Sequence, residues 1–293
     1  PMDDYQPKLR ETASLVIAGG NDIIDYAPAK WHLTNADIIH IDTMPADINK
    51  NYQPEVEVVG NIPNSLERIM AKAARLAEPK QFLDIRQKMV DEHESYAHDM
   101  AFPVKPQKAL IDCRRVMGKD DIVISDVGAN KVWIARHYNC YEPNTCLISN
   151  GFATMGIAVP GAISAKLVHP DKKVLAITGD AGFLMNVQEF ETAYRLGTNF
   201  VILIFSDCSY GLIKWKQDMQ YGHHQYVDFT NPDFVKLAES FHAIGYRITK
   251  TEDLLPTLKK AFQQNKPVII DCPIDYDENM KLTEHLEELM KTL

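Results

Sequence analysis

The residues best suited to chemistry are two aspartates, each placed just after a short apolar run. Lys173 to Thr178 (KVLAIT) leads into Gly179-Asp180-Ala181-Gly182. Phe200 to Phe205 (FVILIF) leads into Ser206-Asp207-Cys208-Ser209-Tyr210-Gly211. Small residues let backbone amides approach a ligand, a helix start favours an anion, and a carboxylate holds a hard cation. Mg2+ asks for six oxygens at about 2.0–2.1 Å and often takes some from phosphates. Two carboxylates at the same end of successive strands therefore suggest a metal-bridged diphosphate site. Either turn alone is also read as a plain turn; it is their placement after two buried strands that points to chemistry.

The elements that must position these turns follow from hydrophobic periodicity. Strands are predicted at Ala13 to Gly20, Asp37 to Thr43 and Val56 to Gly60, followed by a helix from Pro63 to Leu76. The polar stretch from Glu78 to His98 reads as a linker and a surface helix. Beyond it come a helix at Gln107 to Met117, strands at Asp121 to Ser125 and Thr145 to Ser149, and a helix rich in small residues at Gly156 to Leu167. The runs 173–178, 200–205 and Val268 to Cys272 are apolar almost throughout, as in parallel strands covered on both faces. Helices are expected at Val187 to Leu196, Pro232 to Phe241, Asp253 to Gln264 and Asn279 to Lys291. This alternation predicts an α/β fold, a doubly wound, mostly parallel sheet with helices on both faces, preceded by a partial second α/β domain. The expected divisions are 1–80 for the partial domain, 81–105 for linker and surface helix, 106–275 for the diphosphate domain and 276–293 for a terminal helix.

Composition narrows the function classes. The 293 residues are 45% hydrophobic and 24% charged, which is ordinary globular usage and excludes a disordered chain. Forty acidic against thirty-one basic residues give a net charge of −9, with no basic run of the kind nucleic-acid binders carry. No apolar run approaches the roughly 18 residues of a membrane span, and the first residues do not form a signal peptide. Five cysteines without a C-x-x-C spacing argue against a disulfide scaffold or structural zinc and for a reduced, cytoplasmic setting. An acidic protein that binds an anion then needs a metal or helix termini to do so.

The motif Gly179-Asp180 with Asp207 twenty-seven positions on resembles the thiamine diphosphate motif of the thiamine-dependent decarboxylases and carboligases. Ala181 stands where a glycine is common, and Ser206-Asp207 replaces Asn-Asn; an aspartate at this second metal position is familiar in the acetolactate synthase branch. Further stretches resemble that branch: Ser125 to Asn130 with Trp133 and Arg136, Ile148 to Gly151, Gln188 to Ala193, Tyr221-Gly222 with Val227 to Phe229, Ala238 to Phe241, and Val268 to Asp271. Gly19 to Tyr26, Ile41-Asp42 and Asp47 to Gln53 resemble the end of its middle domain. The resemblance covers nearly the whole chain, and the best match is the catabolic type.

The resemblance implies a division of labour. Mg2+ would take side-chain oxygens of Asp180 and Asp207 and the carbonyl of Ser209. Amides around Gly128, Ala129 and Asn130, and at Ala181 and Gly182 after Gly179, would hold the diphosphate of thiamine diphosphate. Met155 would be the apolar wedge that bends the cofactor, although a methionine there also reads as core filler. Ala153 would offer its carbonyl to the aminopyrimidine, and Tyr210, Gly211, Leu212 and Ile213 would line the pocket. Lys216 stands where relatives carry other residues near the substrate; it also reads as a solvated helix residue, with Gln217 taking the polar role. His223 and His224 read as a solvated loop pair.

The implied reaction decarboxylates pyruvate and condenses it with a second pyruvate to 2-acetolactate, in a homo-oligomer without nucleic acid or membrane partners. FAD, which some relatives hold in the middle domain, is not expected. The pyrimidine-binding domain of the family has no counterpart in this sequence. It supplies the glutamate that activates the cofactor, so no catalytic residue is assigned here and the chain is expected to be inactive alone. Two other readings stay open: another thiamine-dependent ketoacid decarboxylase or oxidase, and a non-catalytic binding or assembly subunit.

Overall fold

Near-continuous apolar strands dominate the architecture, and they are sandwiched between helices as that pattern demands. The computed structural model describes residues 13–21, 36–73 and 80–282. The chain divides at His93 into two units.

In the first unit three parallel strands, β1 (Leu15–Gly19), β2 (Asp37–Asp42) and β3 (Val56–Val59), pair in sequence order, with Leu15 opposite Asp37 and Ile39 opposite Val56. Ala18, Ile38 and Tyr52 form its small core. Helix α1 (Ile62–Met70) begins where the Asn61 side chain accepts from the Asn64 amide at 3.0 Å, with a proline in its first turn. Helix α2 (Lys80–Ser95) follows.

The second unit carries helix α3 (Pro106–Val116), strand β4 (Ile122–Ser125), helix α4 (Ala129–His137), strand β5 (Cys146–Ile148), helix α5 (Ala158–Val168), strand β6 (Val174–Gly179) and the short helices α6 (Asp180–Met185) and α7 (Glu189–Arg195). Strand β7 (Val201–Ser206), helices α8 (Gly211–Tyr221) and α9 (Phe234–Ser240), strand β8 (Ile244–Arg247), helix α10 (Leu254–Ala261) and strand β9 (Val268–Pro273) complete it. The six strands are all parallel, in the order β5-β4-β6-β7-β9-β8. The predicted doubly wound α/β fold is therefore the observed one.

Alternate residues of each strand feed two cores. Leu175 and Ile177 of β6 and Val201, Leu203 and Phe205 of β7 pack with Leu110 of α3, Trp133 of α4 and Leu258 of α10. Val174 and Ala176, with Ile202 and Ile204, face the other way, toward Ala162 of α5, Phe183 of α6, Phe190 of α7 and Phe234 of α9. Full burial on both faces is why these strands lack the apolar–polar alternation of a half-exposed sheet.

Several expectations change in detail. The helix rich in small residues is buried along most of its length, but Leu167 and Val168 in its last turn are exposed. Strand β8 and helix α4 have no counterpart among the predicted elements, and α6 and α8 are implied only as a helix start after Gly179 and a helix through Lys216, without bounds; β8 is a four-residue edge strand whose residues are only half-buried or exposed. The predicted terminal helix, Asn279 to Lys291, runs mostly outside the described residues, as do Asp22 to Tyr26 of the stretch that resembles the middle domain.

Candidate functional site

The strand order decides where a site can form. From β4 the chain moves to β5 on one side and then returns to β6 on the other, so the sheet winds outward from the β4–β6 pair. Crevices at the carboxyl ends of strands at such a switch point are the usual ligand positions in this architecture. The turns after β4, β6 and β7 converge there on a cavity of about 130 Å3. It is lined by Val127, Gly128, Ala129, Asn130, Met155, Gly179, Asp180, Ala181, Gly182, Asp207, Ser209, Tyr210, Gly211, Leu212, Ile213 and Tyr276. Of the cofactor residues expected from the sequence, only Ala153 is absent from this lining; its backbone takes a positive φ of 49° in the turn before Met155. Lys216 and Gln217 lie farther along α8, where Lys216 is exposed and Gln217 accepts from the Gln225 amide at 2.9 Å. His223 donates to the Tyr221 carbonyl, and His224 pairs with Asp218 at 2.8 Å.

The two aspartates differ in how they are held. Asp180 is 1% exposed. Its Oδ1 accepts from the Ala181 amide at 2.9 Å. Its Oδ2 accepts from three donors: the amides of Asp207 at 3.1 Å and Cys208 at 2.7 Å, and Asn231 Nδ2 at 2.7 Å. Asp207 accepts from the Ser209 hydroxyl at 2.8 Å and more weakly from the Ser209 amide at 3.4 Å. Burial, and after it the charge of Asp180, pushes the Asp207 carboxyl up to about 6. A buried pair of like charges is an arrangement that a bound cation relieves.

The loop that carries Asp207 is fixed by backbone contacts. Cys208 adopts a φ of 55°, which turns its amide back toward Asp180. The Phe229 amide donates to the Cys208 carbonyl and the Tyr210 amide to the Val227 carbonyl, both at 2.9 Å. A stretch about twenty residues downstream is thus laid against the loop and brings Asn231 to Asp180.

Among the described residues, no lysine, arginine or histidine lines the cavity. Its anion-binding capacity resides in backbone amides, since the first residues of α4, α6 and α8 all face it. Among the described residues no three His, Cys, Asp or Glu side chains cluster as a metal cage. Two carboxylates and the Ser209 backbone beside amide-rich turns fit a hard cation that draws its remaining oxygens from a phosphate ligand and water.

Three residues near this site carry no role in the sequence reading. Asp126, first after β4, accepts from the amides of Val127, Gly156 and Ala158 and from the Thr178 hydroxyl, at 2.7–3.2 Å. It ties β4, β6 and the turn holding Met155 together. Burial raises its carboxyl above the usual range, against the pull of those hydrogen bonds. Tyr276 follows β9 and closes the cavity near Gly211; burial, then Asp207 and Asp180, raise its hydroxyl well above the ordinary value. Asn231 is the third. Asp126 is visible in the sequence as a carboxylate after a strand, whereas Tyr276 and Asn231 lie beyond any local motif.

Comparison with known proteins adds a family. Residues 126–272 match the model of the thiamine pyrophosphate enzyme C-terminal, thiamine pyrophosphate-binding domain. Acetolactate synthase of Bacillus subtilis (strain 168) is 37% identical over 97% of this chain. The catabolic acetolactate synthase of Raoultella terrigena is 33% identical over 97%. A probable acetolactate synthase large subunit of Methanocaldococcus jannaschii is 35% identical over 86%. This chain spans 52% of the length of the first two relatives and 44% of the third.

Proposed function

Because the chain belongs to the thiamine pyrophosphate enzymes and contains their C-terminal cofactor-binding domain, we propose that it is the diphosphate- and metal-holding part of an acetolactate synthase. The proposed reaction joins two pyruvates, with uptake of one proton, to give 2-acetolactate and CO2. The observation that carries the reading is the pairing of Asp180 and Asp207 beside three helix starts in a cavity without basic side chains.

In this reading Asp180, Asp207 and the Ser209 carbonyl hold Mg2+. The amides at Gly128 to Asn130 and at Ala181 and Gly182 hold the diphosphate. Met155 lies against the body of the cofactor, with the Ala153 carbonyl as its polar neighbour. Leu212 and Ile213 line the pocket for cofactor and substrate. Lys216 and Gln217, outside the cavity lining, are assigned to substrate approach. Thiamine diphosphate bound here supplies the electron sink that decarboxylation of a 2-ketoacid and addition to a second carbonyl require. The protein contributes position and a low-dielectric surround. Activation of the cofactor is assigned to a segment outside these residues, so the chain alone is proposed to bind and not to turn over. A homo-oligomer in the cytoplasm completes the proposal. Among the described residues no helix is long and apolar enough to cross a membrane.

Calorimetry of thiamine diphosphate with and without Mg2+ tests the site. Asp180→Ala and Asp207→Ala should each abolish the metal-dependent part, and unchanged binding in both would overturn the assignment. Product analysis with pyruvate, after the remaining part of a relative is supplied in trans, tests the reaction. Acetolactate is expected; acetaldehyde or acetyl phosphate would instead favour the other decarboxylase or oxidase reading.

A further inference from the structure

We propose that the amino end of the six-stranded sheet carries a second anion site, a lysine-lined cavity that takes a phosphate group, free or borne by a small molecule. The cavity measures about 210 Å3 and shares no residue with the one at Asp180. Lys173 precedes β6, Phe200 and Val201 open β7, and Lys266 stands two residues before β9. The strands are all parallel, so these residues lie at the opposite end of the sheet from Asp180, about 20 Å away along the six residues of β6.

Its charged lining is four lysines, Lys166, Lys172, Lys173 and Lys266, against one carboxylate, Asp171. That is a surplus of three positive charges in a chain of net charge −9. Neighbouring carboxylates leave it largely intact. Asp121 is engaged by backbone, accepting from the amides of Gly118 at 2.6 Å and Lys173 at 2.9 Å. Asp120 is 68% exposed and reaches only Lys172, at 3.8 Å, a loose pair that water screens. Lysines also complement helix C-termini, and α5 and α10 both end here. Each terminus carries about half a negative charge, so together they offset roughly one of the three.

Lys166 shows most directly what is missing. It is 9% exposed, and its ammonium donates to the Lys172 carbonyl at 2.6 Å, with no carboxylate in ion-pair reach among the described residues. Burial holds its amine below the ordinary lysine value, against the pull of Asp171 and Asp121. An ammonium carries three donors, so two remain for a ligand. Lys173 donates to the Val116 carbonyl at 2.7 Å and lies over the Phe262 ring, and Lys266 has no ion pair among the described residues. A buried cation held only by a carbonyl, beside further unpaired cations, is an arrangement that an anion relieves. Lysine ammoniums act as point charges and suit a phosphate, whereas a carboxylate ligand is matched best by the planar fork of arginine, which is absent from this lining.

The test is calorimetry of inorganic phosphate with the intact chain, in EDTA and at an ionic strength held constant with chloride. The parent and Asp180→Ala should bind with equal affinity. Lys166→Met should weaken binding at least about ten-fold, the scale of one lost hydrogen bond to a charged group. The double variant Lys172→Met with Lys266→Met removes two less buried ammoniums; it should do the same, and it serves if Lys166→Met does not fold. Glycerol phosphate titrated in parallel separates the two sources: tighter binding than inorganic phosphate assigns an ester, equal or weaker binding the free ion. Absence of saturable binding by the parent, or unchanged affinity in the folded lysine variants, overturns the proposal. So does an altered affinity in Asp180→Ala, which would put the phosphate in the other cavity.

Discussion

Replacing Asp126 with alanine tests whether one buried carboxylate joins the strand ends to the Met155 turn. Four donors would lose their acceptor, but they are not equivalent. The Thr178 hydroxyl also donates to the Gly179 carbonyl at 2.9 Å and so keeps a partner. The Val127 amide is only partly buried and can reach water. The amides of Gly156 and Ala158 are buried, at 2.9 and 3.2 Å from the carboxylate, and would be orphaned. At about 1–3 kcal/mol for each orphaned donor, the loss is roughly 2–6 kcal/mol. Relief of the burial that raises the carboxyl offsets part of it, so the expected destabilisation is about 3 kcal/mol, in the upper range for single substitutions. The direction of the shift adds a pH signature. A carboxyl raised in the folded state adds most stability below its unfolded value, near 3.9, and loses it as pH rises through the folded value. The gap between parent and Asp126→Ala should therefore be larger at pH 4 than at pH 7. Urea unfolding followed by far-ultraviolet circular dichroism at both values measures it. A gap below about 1 kcal/mol at either pH would refute the accounting by orphaned donors.

Two further substitutions test close approaches. A Cβ at Gly211 would lie 3.0 Å from Asp207 Oδ2 and 3.7 Å from both the Ala129 Cβ and the Tyr276 ring. Gly211→Ala should therefore weaken Mg2+-dependent thiamine diphosphate binding at least about ten-fold in calorimetry while leaving the unfolding midpoint nearly unchanged, since one metal ligand is displaced. A Cβ at Gly245 would lie 2.6 Å from Val235 Cα and 2.9 Å from its carbonyl oxygen, both backbone atoms that cannot swing aside. Gly245→Ala should separate α9 from β8 and cost about 1–3 kcal/mol in urea unfolding without altering cofactor binding.

Legibility varies with how local the signal is. The strands through Leu175, Leu203 and Ile270 are readable because burial on both faces leaves an unbroken apolar run. Strand β8 is not, because Ile244-Gly245-Tyr246-Arg247 is short, half-exposed and broken by a glycine. Helix α4 is hidden for a different reason. Its Trp133 and Ile134 are buried, but so is His137, so polar and apolar positions do not separate into two faces. At the site, Asp180 and Asp207 announce themselves as carboxylates directly after strands. Tyr276 and Asn231 do not, since Tyr276 lines the cavity from beyond β9 and Asn231 reaches Asp180 from a segment far along the chain.

Composition and spacing along the chain suffice for the class of fold, the order of most elements and the two carboxylate turns, because each of these is a local property of the residues. That the turns after β4, β6 and β7 meet is visible only in three dimensions, since strand order is set by packing of the whole sheet. The same holds for the grip on Asp180, with three donors on one oxygen and one on the other. Those hydrogen bonds depend on distances between residues remote in the chain, and no local pattern encodes them.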